Sequence, residues 1–242
     1  MSVTYQREDE VRIATPNIFL LAAENRAWLE MATFHLRKAL LGELPKGDGH
    51  PVLVIPGFGG THFSTRPLRR ALTELGYAAC DWEQGRNIGM NARIKNGLAQ
   101  RLNDLHHRHQ KKVSLIGWSL GGVFVREMAR AQPQFVRRVF TLGSPINGHP
   151  AANNVMGLFR LINRGKPVNL DWEGFQKRRN PPPVPCTAIY SKTDGIIAWQ
   201  CAIEEPAPNT ENVEVSGSHF GFGFNPQVLQ VIAQRLARSV EA

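Results

Sequence analysis

The chain has 242 residues, of which 42% are hydrophobic and 20% charged, which is ordinary for a soluble globular protein and sufficient for one buried core. Its formal net charge of +9 comes from basic residues dispersed along the sequence, with no run of five and no aromatic-rich RNA-binding signature. The composition argues against disorder and against nucleic-acid binding, and it leaves room for a weak association with anionic membrane surfaces.

The first residues do not read as a targeting segment. Acidic residues stand where a signal peptide would carry positive charge, and the first apolar stretch, 18–23, is too short for a secretory core. No run approaches about 18 apolar residues, so we expect no transmembrane helix and a cytoplasmic location.

Cys80, Cys186 and Cys201 are too few and too irregularly spaced for a disulfide framework or a zinc site. Buried free thiols are favoured at Cys80 and Cys186, with a Cys186–Cys201 bridge as the alternative.

In chain order, the first predicted element is an amphipathic helix over 16–41, where apolar residues recur at helical spacing before Gly42. The helix could pack on the rest of the protein or extend a substrate-binding surface. Because the pattern changes at residue 51, we expect a helical extension over 1–50 and a second unit over 51–242.

The second unit alternates strands with helices. Strands are predicted at 52–55, 77–81, 113–117, 136–142, 187–191 and 213–216, and helices at 65–75, 91–109, 120–131 and 226–240. This alternation predicts an α/β fold in which helices cover both faces of a mostly parallel sheet. Residues 148–183 interrupt the pattern, so we expect them to form an insertion, a cap or lid over the sheet.

The segment Gly117-Trp118-Ser119-Leu120-Gly121 is a G-x-S-x-G motif between a predicted strand and a predicted helix. On such a sharp turn the serine adopts strained dihedral angles and its hydroxyl stands clear of the sheet, while larger side chains two residues away would collide. Ser119 is therefore predicted to be a nucleophile. The alternative is a glycine-rich turn that only binds a phosphate or packs a helix closely.

A serine hydroxyl needs a neighbouring base to remove its proton. Only two histidines follow Ser119, and His149 precedes the strand expected to carry the acid. His219 lies in the glycine-flanked loop SGSHFGFG before the last predicted helix, so it is the predicted base.

The third member of this set is an acid that orients the imidazole. Asp194 follows the predicted strand 187–191, at a strand end where catalytic side chains of α/β sheets gather. Asp171 is the fallback, although a helix cap or a solvated loop acid suits it better.

The oxyanion of a tetrahedral intermediate needs two N–H donors. One is expected from Leu120, directly after the nucleophile, and the other from Phe58 in the loop Pro56-Gly57-Phe58-Gly59-Gly60.

The segments PGFGG, GWSLGG, LGSPINGH, YSKTDGIIAW and GSHFGF resemble those of bacterial lipase- and esterase-like α/β-hydrolases, over about residues 51–240. The resemblance implies an α/β-hydrolase fold with a triad of Ser119, Asp194 and His219 and oxyanion donors at Phe58 and Leu120. Many such lipases have His-Gly in the oxyanion loop, where this chain has Pro-Gly. The backbone donor survives that change, but any role of the histidine in ordering the loop is lost. The absence of a recognisable signal peptide argues against bulk triglyceride digestion.

Apolar residues flank the proposed catalytic loops, and an apolar wall beside a triad suits an acyl chain. The candidate substrate contacts are Phe63, Ile146, Met156, Phe159, Ile196, Trp199 and Phe220. The alternative is that about half of them are core residues. No cofactor or metal is expected, because His106, His107 and His109 scatter around a helix end, where they suit a solvated terminus better than a zinc site.

The sequence therefore predicts a serine esterase or lipase that cleaves carboxylic esters with a hydrophobic acyl group through an acyl-enzyme on Ser119. Its partner would be a small ester or lipid, and the sequence leaves the acyl-chain length and the oligomeric state open. One alternative is an acyltransferase with the same triad. The other is an inactive binding protein, which the complete set of Ser119, Asp194 and His219 disfavours.

Overall fold

The computed structural model describes residues 13–34, 38–147 and 179–239. Within them, the strands are β1 Pro51–Ile55, β2 Ala78–Asp81, β3 Val113–Trp118, β4 Val136–Leu142, β5 Cys186–Tyr190 and β6 Thr210–Glu214. They form a six-stranded sheet in the order β2-β1-β3-β4-β5-β6, and every neighbouring pair is parallel.

The described helices surround this sheet. They are α1 Ile18–Ala22, α2 Ala27–Phe34, α3 Lys38–Glu43, α4 His62–Glu74, α5 Ala92–His109, α6 Leu120–Ala131 and α7 Pro226–Leu236. Short 3₁₀ helices cover Ala23–Arg26, Pro133–Phe135, Trp199–Cys201 and Phe222–Phe224.

Two apolar cores cover the two faces of the sheet. Val52 and Val54 of β1 face the core that includes side chains of α4 and α7, whereas Leu53 and Ile55 face the core formed with α5 and α6. Successive side chains of a strand point to opposite faces, so the continuous apolar run of β1 is buried on both sides. The predicted α/β fold with helices on both faces is confirmed.

The first and last predicted elements differ from the structure. The helix predicted over 16–41 is divided by the 3₁₀ turn Ala23–Arg26, and α3 continues through Gly42 to Glu43. That turn directs Glu24 into the protein, while Trp28 and Leu29 are 72% and 68% exposed. The apolar periodicity does not mark the buried face, because polar contacts of Glu24 with the rest of the protein determine how this segment packs.

The last strand begins at Thr210 and ends at Glu214, whereas the sequence predicted a strand over 213–216. β6 is an edge strand whose side chains are partly or fully exposed, so it lacks the apolar run that marks a buried strand. The division of the chain at residue 50 and the lid over 148–183 stay predictions, and 148–178 lie outside the described residues.

The strand order contains a switch point between β1 and β3. The chain leaves β1 towards β2 on one side, and β3 lies on the other side of β1. In open parallel sheets such a point leaves a crevice at the carboxyl ends of the strands, where ligands bind. The loop 56–60 after β1 and Ser119 after β3 both begin at this crevice.

The three cysteines are free thiols, so no bridge joins Cys186 to Cys201. Cys186 and Cys201 are buried, whereas Cys80 is half-buried, and burial raises the pKa of the Cys201 thiol to about 11. Such thiols are unreactive.

Among the described helices, none is long and apolar enough to cross a bilayer.

Candidate active site

Ser119 occupies a strained turn between β3 and α6. Its φ of 52° and ψ of −122° lie where non-glycine residues rarely occur, and such a conformation costs about 1–3 kcal/mol. The backbone N–H of Ser119 donates to the carbonyl of Leu142 at 2.8 Å, which fixes the turn to the end of β4. The residue is 7% exposed. Surrounding contacts thus hold the backbone in a conformation typical of a functional site.

The glycines on either side of Ser119 allow this turn to form. A Cβ at Gly117 would lie 2.3 Å from the carbonyl oxygen of Gly121, and one at Gly121 would lie 2.4 Å from the carbonyl oxygen of Ile55. Real Cβ atoms do not approach backbone atoms so closely. The structure therefore supplies the steric reason for the spacing of the G-x-S-x-G motif.

His219 and Asp194 form a buried hydrogen-bonded pair. Nδ1 of His219 donates to Oδ2 of Asp194 at 2.7 Å, and both side chains are almost completely inaccessible to solvent. The other carboxylate oxygen, Oδ1, accepts from the backbone N–H groups of Ile196 and Ile197, each at 2.8 Å. The carboxylate is therefore held from one side and orients the imidazole from the other.

This pairing changes the protonation of the imidazole. Burial lowers the pKa of His219 and the Asp194 carboxylate raises it, by charge and by hydrogen bonding, and the net result is a pKa above the ordinary value. The negative charge of Glu24 acts in the same direction. The environment thus favours a ring that can hold a proton between two steps of a reaction.

The loops of the three side chains are connected at one edge of the sheet. The indole Nε1 of Trp118 donates to the backbone carbonyl of His219 at 3.0 Å. A Cβ at Gly143, at the end of β4, would lie 3.0 Å from Oδ2 of Asp194. No hydrogen bond joins Oγ of Ser119 to the His219 ring within the described part of the chain. In many hydrolases this bond tightens only when substrate binds.

The loop 56–60 lies against Ser119. A Cβ at Gly57 would lie 3.1 Å from Cβ of Ser119, and Phe58 is the next residue. Leu120 is the first residue of α6, so its N–H belongs to the first turn, where amides lack an intrahelical acceptor. Both predicted oxyanion donors thus belong to segments beside the serine, and their role stays a prediction.

Asn87 holds the loop 56–60 in place, and no sequence motif marked it. Its side-chain amide donates to the carbonyl of Pro56 at 2.8 Å, and its backbone exchanges hydrogen bonds with Gly59 and Gly60 at 2.7 and 2.8 Å. Nη1 of Arg86 also donates to the carbonyl of Gly59, at 2.9 Å. Asn87 is fully buried, so these contacts order the loop where many lipases have a histidine.

The predicted substrate contacts have different surroundings. Phe63 and Phe220 are 64% and 47% exposed, whereas Ile146 and Ile196 are buried. Trp199 stacks on Tyr190 with ring centroids 5.7 Å apart. The rest of this set, Met156 and Phe159, lies outside the described residues, as do His149 and the fallback acid Asp171.

The histidine cluster at the end of α5 packs on neighbouring groups. Nδ1 of His106 hydrogen-bonds with the carbonyl of Lys111 at 3.0 Å, and its ring centroid lies 4.7 Å from that of Phe135. Within the described ranges, no group of three or more His, Cys, Asp or Glu side chains could hold a metal ion.

Glu24 is the main site residue that sequence reasoning missed. It lies in the 3₁₀ turn before α2 and accepts hydrogen bonds from the backbones of Gly195, His219 and Phe220. A charged residue in an amphipathic pattern is normally read as solvated, so nothing in the sequence pointed to this contact.

The parallel sheet, the two helical layers and the strained serine at the crevice together define the class of protein: the chain has the α/β-hydrolase fold.

Solved structures with the same fold include several lipases. A monoacylglycerol lipase from Paleococcus ferrophilus superposes with a TM-score of 0.55 at 14% identity, covering 80% of this chain and 96% of that one. A soluble variant of monoglyceride lipase from Saccharomyces cerevisiae gives 0.62 at 15%, covering 82% and 91%. A putative non-heme bromoperoxidase from Mycobacterium tuberculosis gives 0.57 at 15%, covering 81% and 95%. No protein-family model and no curated protein sequence matches the chain. Similarity at this level of identity establishes the fold and leaves the activity to be argued from the site.

Proposed function

We propose that the protein is a serine hydrolase that cleaves carboxylic esters with a hydrophobic acyl group through an acyl-enzyme on Ser119. The observation that carries the proposal is the strained Ser119 at the same sheet edge as the buried Asp194–His219 pair. The lipases and monoglyceride lipases among structures with this fold agree with it.

In the proposed reaction, Nε2 of His219 removes the proton of the Ser119 hydroxyl as Oγ attacks the ester carbonyl. The N–H groups of Phe58 and Leu120 stabilise the oxyanion of the tetrahedral intermediate. His219 then gives its proton to the departing alcohol, and the acyl group remains on Ser119. Water, activated by the same imidazole, releases the carboxylic acid in the second half of the reaction.

Asp194 contributes by fixing the imidazole. Because Nδ1–H of His219 donates to Oδ2 of Asp194, Nε2 is left as the basic nitrogen. The adjacent carboxylate stabilises the imidazolium that forms after proton abstraction, which agrees with the raised pKa of His219.

The proposed substrate class is an ester of a medium or long apolar acyl chain, as a small molecule or a lipid. Two exposed aromatic side chains near the proposed machinery support it: Phe63 lies in the first turn of the helix after the loop 56–60, and Phe220 follows the proposed catalytic histidine. Apolar surface beside a few fixed polar groups is typical of lipid-ester sites.

The test is hydrolysis of p-nitrophenyl esters over a range of chain lengths by the wild type and by Ser119→Ala. We expect hydrolysis to favour apolar chains and kcat to fall by about 10³-fold or more in the variant, because the nucleophile is lost. A fluorophosphonate probe should label the wild type and leave Ser119→Ala unlabelled. Full activity in the variant would overturn the nucleophile assignment, and a folded wild type that neither hydrolyses esters nor takes the label would favour an inactive binding protein.

Hydrolysis and acyl transfer differ only in the acceptor that reaches the acyl-enzyme. The same assay with an added alcohol separates them by product. We expect free acid as the main product, and a new ester as the main product would assign the protein to acyl transfer instead.

A further inference from the structure

The carboxylate of Glu24 is buried between the two loops that carry the proposed acid and base. Glu24 is 5% exposed and precedes α2, far in sequence from its partners. Its partners lie in the acid loop (residues 191–197, containing Asp194) and in the histidine loop (residues 216–221, containing His219). A buried carboxylate is costly unless several donors bind it, so this arrangement needs an explanation.

Three backbone N–H groups bind this carboxylate. Oε1 of Glu24 accepts from Gly195 at 2.8 Å and from His219 at 2.9 Å, and Oε2 accepts from Phe220 at 3.0 Å. A single oxygen therefore joins the residue after the catalytic acid to the catalytic histidine itself. Glu24 thus bridges the two loops across which the Asp194–His219 bond forms, beside the direct hydrogen bonds that the hydroxyls of Ser191 and Thr193 donate to the carbonyl of Gly217.

The glycines of both loops let the N-terminal segment approach. A Cβ at Gly195 would lie 2.3 Å from the carbonyl oxygen of Leu20, and one at Gly221 would lie 1.5 Å from Oε2 of Glu30. Any side chain at either position would displace the segment or the loop. The contact is thus part of the fold of both loops.

A second carboxylate, that of Glu30 on α2, binds the histidine loop at Ser218, the residue before His219. Glu30 accepts from the backbone N–H of Ser218 at 3.0 Å and from its hydroxyl at 2.8 Å. Arg26 donates to Thr193 in the acid loop, to its carbonyl at 2.6 Å and to its hydroxyl at 2.9 Å. These residues strengthen the docking of the segment, but among its described residues only Glu24 hydrogen-bonds with the backbone of the proposed base.

We propose that Glu24 is a positioning residue for the catalytic pair: its carboxylate, bound to N–H groups of both loops, sets how the acid and histidine loops lie against each other. The proposal rests on the proposed function, in which Asp194 and His219 act on Ser119. It assigns a role in the reaction to the N-terminal helices.

The charge of Glu24 predicts a change in pH dependence. In the part of the chain that the structure describes, Asp194 of the acid loop and Glu24 of the N-terminal segment are the charged groups that contact His219; Glu30 and Arg26 contact the neighbouring residues Ser218 and Thr193. A general base must be neutral, so the acid limb of kcat/KM follows the pKa of His219 in the free enzyme. Glu24 raises that pKa, so its neutralisation should move the limb to lower pH.

The experiment compares Glu24→Gln with Glu30→Gln as a matched control. Both variants replace a carboxylate of the N-terminal segment that binds the histidine loop, but only the first lies against the backbone of His219. In Glu24→Gln we expect kcat to fall by roughly tenfold to a hundredfold with a much smaller change in KM, because the pair is displaced. The acid limb should move to lower pH in Glu24→Gln and stay in place in Glu30→Gln.

The pKa of His219 is also measured directly, by NMR titration of its ring in the full-length Ser119→Ala protein with and without each substitution. A lower value with Glu24→Gln and an unchanged value with Glu30→Gln support the proposal independently of turnover. Wild-type kcat and an unmoved limb in folded Glu24→Gln would overturn it, as would equal shifts in both variants.

Glu24→Asp decides the question if Glu24→Gln does not fold. It keeps the charge but is one methylene shorter, so it cannot bind all three N–H groups at their present distances. We expect a reduced kcat, and a folded Glu24→Asp with wild-type kcat would overturn the positioning role. Absence of activity and of probe labelling in the wild type would instead be a failure of the proposed function.

Discussion

At the scale of single residues, the two oxygens of Asp194 have separate tasks. Oδ1 accepts from two backbone N–H groups, and Oδ2 accepts from the imidazole. The carboxylate cannot rotate without losing the backbone contacts, so its second oxygen stays directed at Nδ1 of His219. This geometry makes the tautomer of the histidine depend on the chemistry of one side chain.

The substitution Asp194→Asn tests that dependence. The amide oxygen should stay on the N–H groups of Ile196 and Ile197, which turns the NH₂ group towards Nδ1 of His219. The ring must then accept a hydrogen bond at Nδ1 and carry its own proton on Nε2, so Nε2 cannot remove the proton of the Ser119 hydroxyl. We expect kcat for ester hydrolysis to fall by about 10³- to 10⁴-fold with an unchanged fold.

The matched control for this substitution is Asp171→Asn, the other acid that the sequence allowed. Circular dichroism and ester kinetics on both proteins make the comparison. Loss of activity in Asp171→Asn and its retention in Asp194→Asn would reverse the assignment.

At the scale of elements, a buried ion pair joins α6 to the segment before β6. Nη2 of Arg126 lies 2.6 Å from Oε2 of Glu204, and both side chains are almost fully buried. Burial raises the pKa of Glu204 even though the charge of Arg126 lowers it, so desolvation exceeds the attraction. Since α6 begins at Leu120, this pair also anchors the helix that carries a proposed oxyanion donor.

Removal of one member of the pair should lower the free energy of unfolding strongly, whereas replacement of both members by apolar residues should lower it little. We expect Glu204→Ala to lower the free energy of unfolding by about 3–5 kcal/mol, because the buried guanidinium of Arg126 loses its carboxylate counter-ion while it keeps the backbone carbonyls of Arg179 and Asn180. The double variant Arg126→Met/Glu204→Leu should recover most of that loss, since it removes both charges and keeps apolar volume. Urea unfolding of the three proteins measures the difference, and equal losses in single and double variants would contradict it.

At the scale of the whole molecule, a second Asp–His–Ser set lies at the amino ends of β1 and β3, away from the crevice at their carboxyl ends. Nδ1 of His50 contacts Asp48, and its Nε2 lies 2.9 Å from Oγ of Ser114, at the start of β3. Ser114 is fully buried at the start of β3, and it lacks the positive φ that Ser119 has in the turn after that strand. Three side chains of these types therefore do not make a hydrolase site without the crevice and the turn.

This second set predicts acid sensitivity of the fold. Burial lowers the pKa of His50, so the folded protein keeps the ring neutral at a pH where the unfolded chain, with a pKa of about 6.5, takes up a proton. Stability from His50 is present above about pH 6.5 and is lost as pH falls below it. His219, whose pKa is raised, acts in the opposite direction: its contribution is present below about pH 6.5 and is lost as pH rises through its folded pKa.

The substitution His50→Gln removes the first of these two contributions and leaves the second. Between pH 7 and pH 5, the free energy of unfolding should decrease more in the wild type than in His50→Gln. Denaturant titrations at both pH values measure this difference, and parallel pH dependences in the two proteins would contradict it.

Local sequence pattern predicted those parts of the molecule that local chemistry governs. Apolar runs predicted the buried strands. The helix α6 and the strand β4 have the predicted limits, because the strained turn at Ser119 precedes α6 and Pro133 separates α6 from β4. Ser119 and its glycines were predicted because a steric requirement over five consecutive residues is written in the sequence. Edge strand β6 was misplaced, since its exposed side chains leave no apolar run.

Contacts between distant segments could not be read in this way. Asn87, which binds the loop 56–60, and Glu24, which binds the acid and histidine loops, are polar residues without a motif, and only the folded chain brings them to their partners. The same holds for the helix predicted over 16–41, whose apolar spacing indicated a buried face, whereas Ile18, Trp28 and Leu29 of that face are exposed. The sequence by itself determined the fold class and the strained turn at Ser119, because short-range sterics and hydrophobic periodicity suffice for both. Only the tertiary structure decided which carboxylates hold the histidine, because hydrogen bonds between segments depend on packing that no local pattern records.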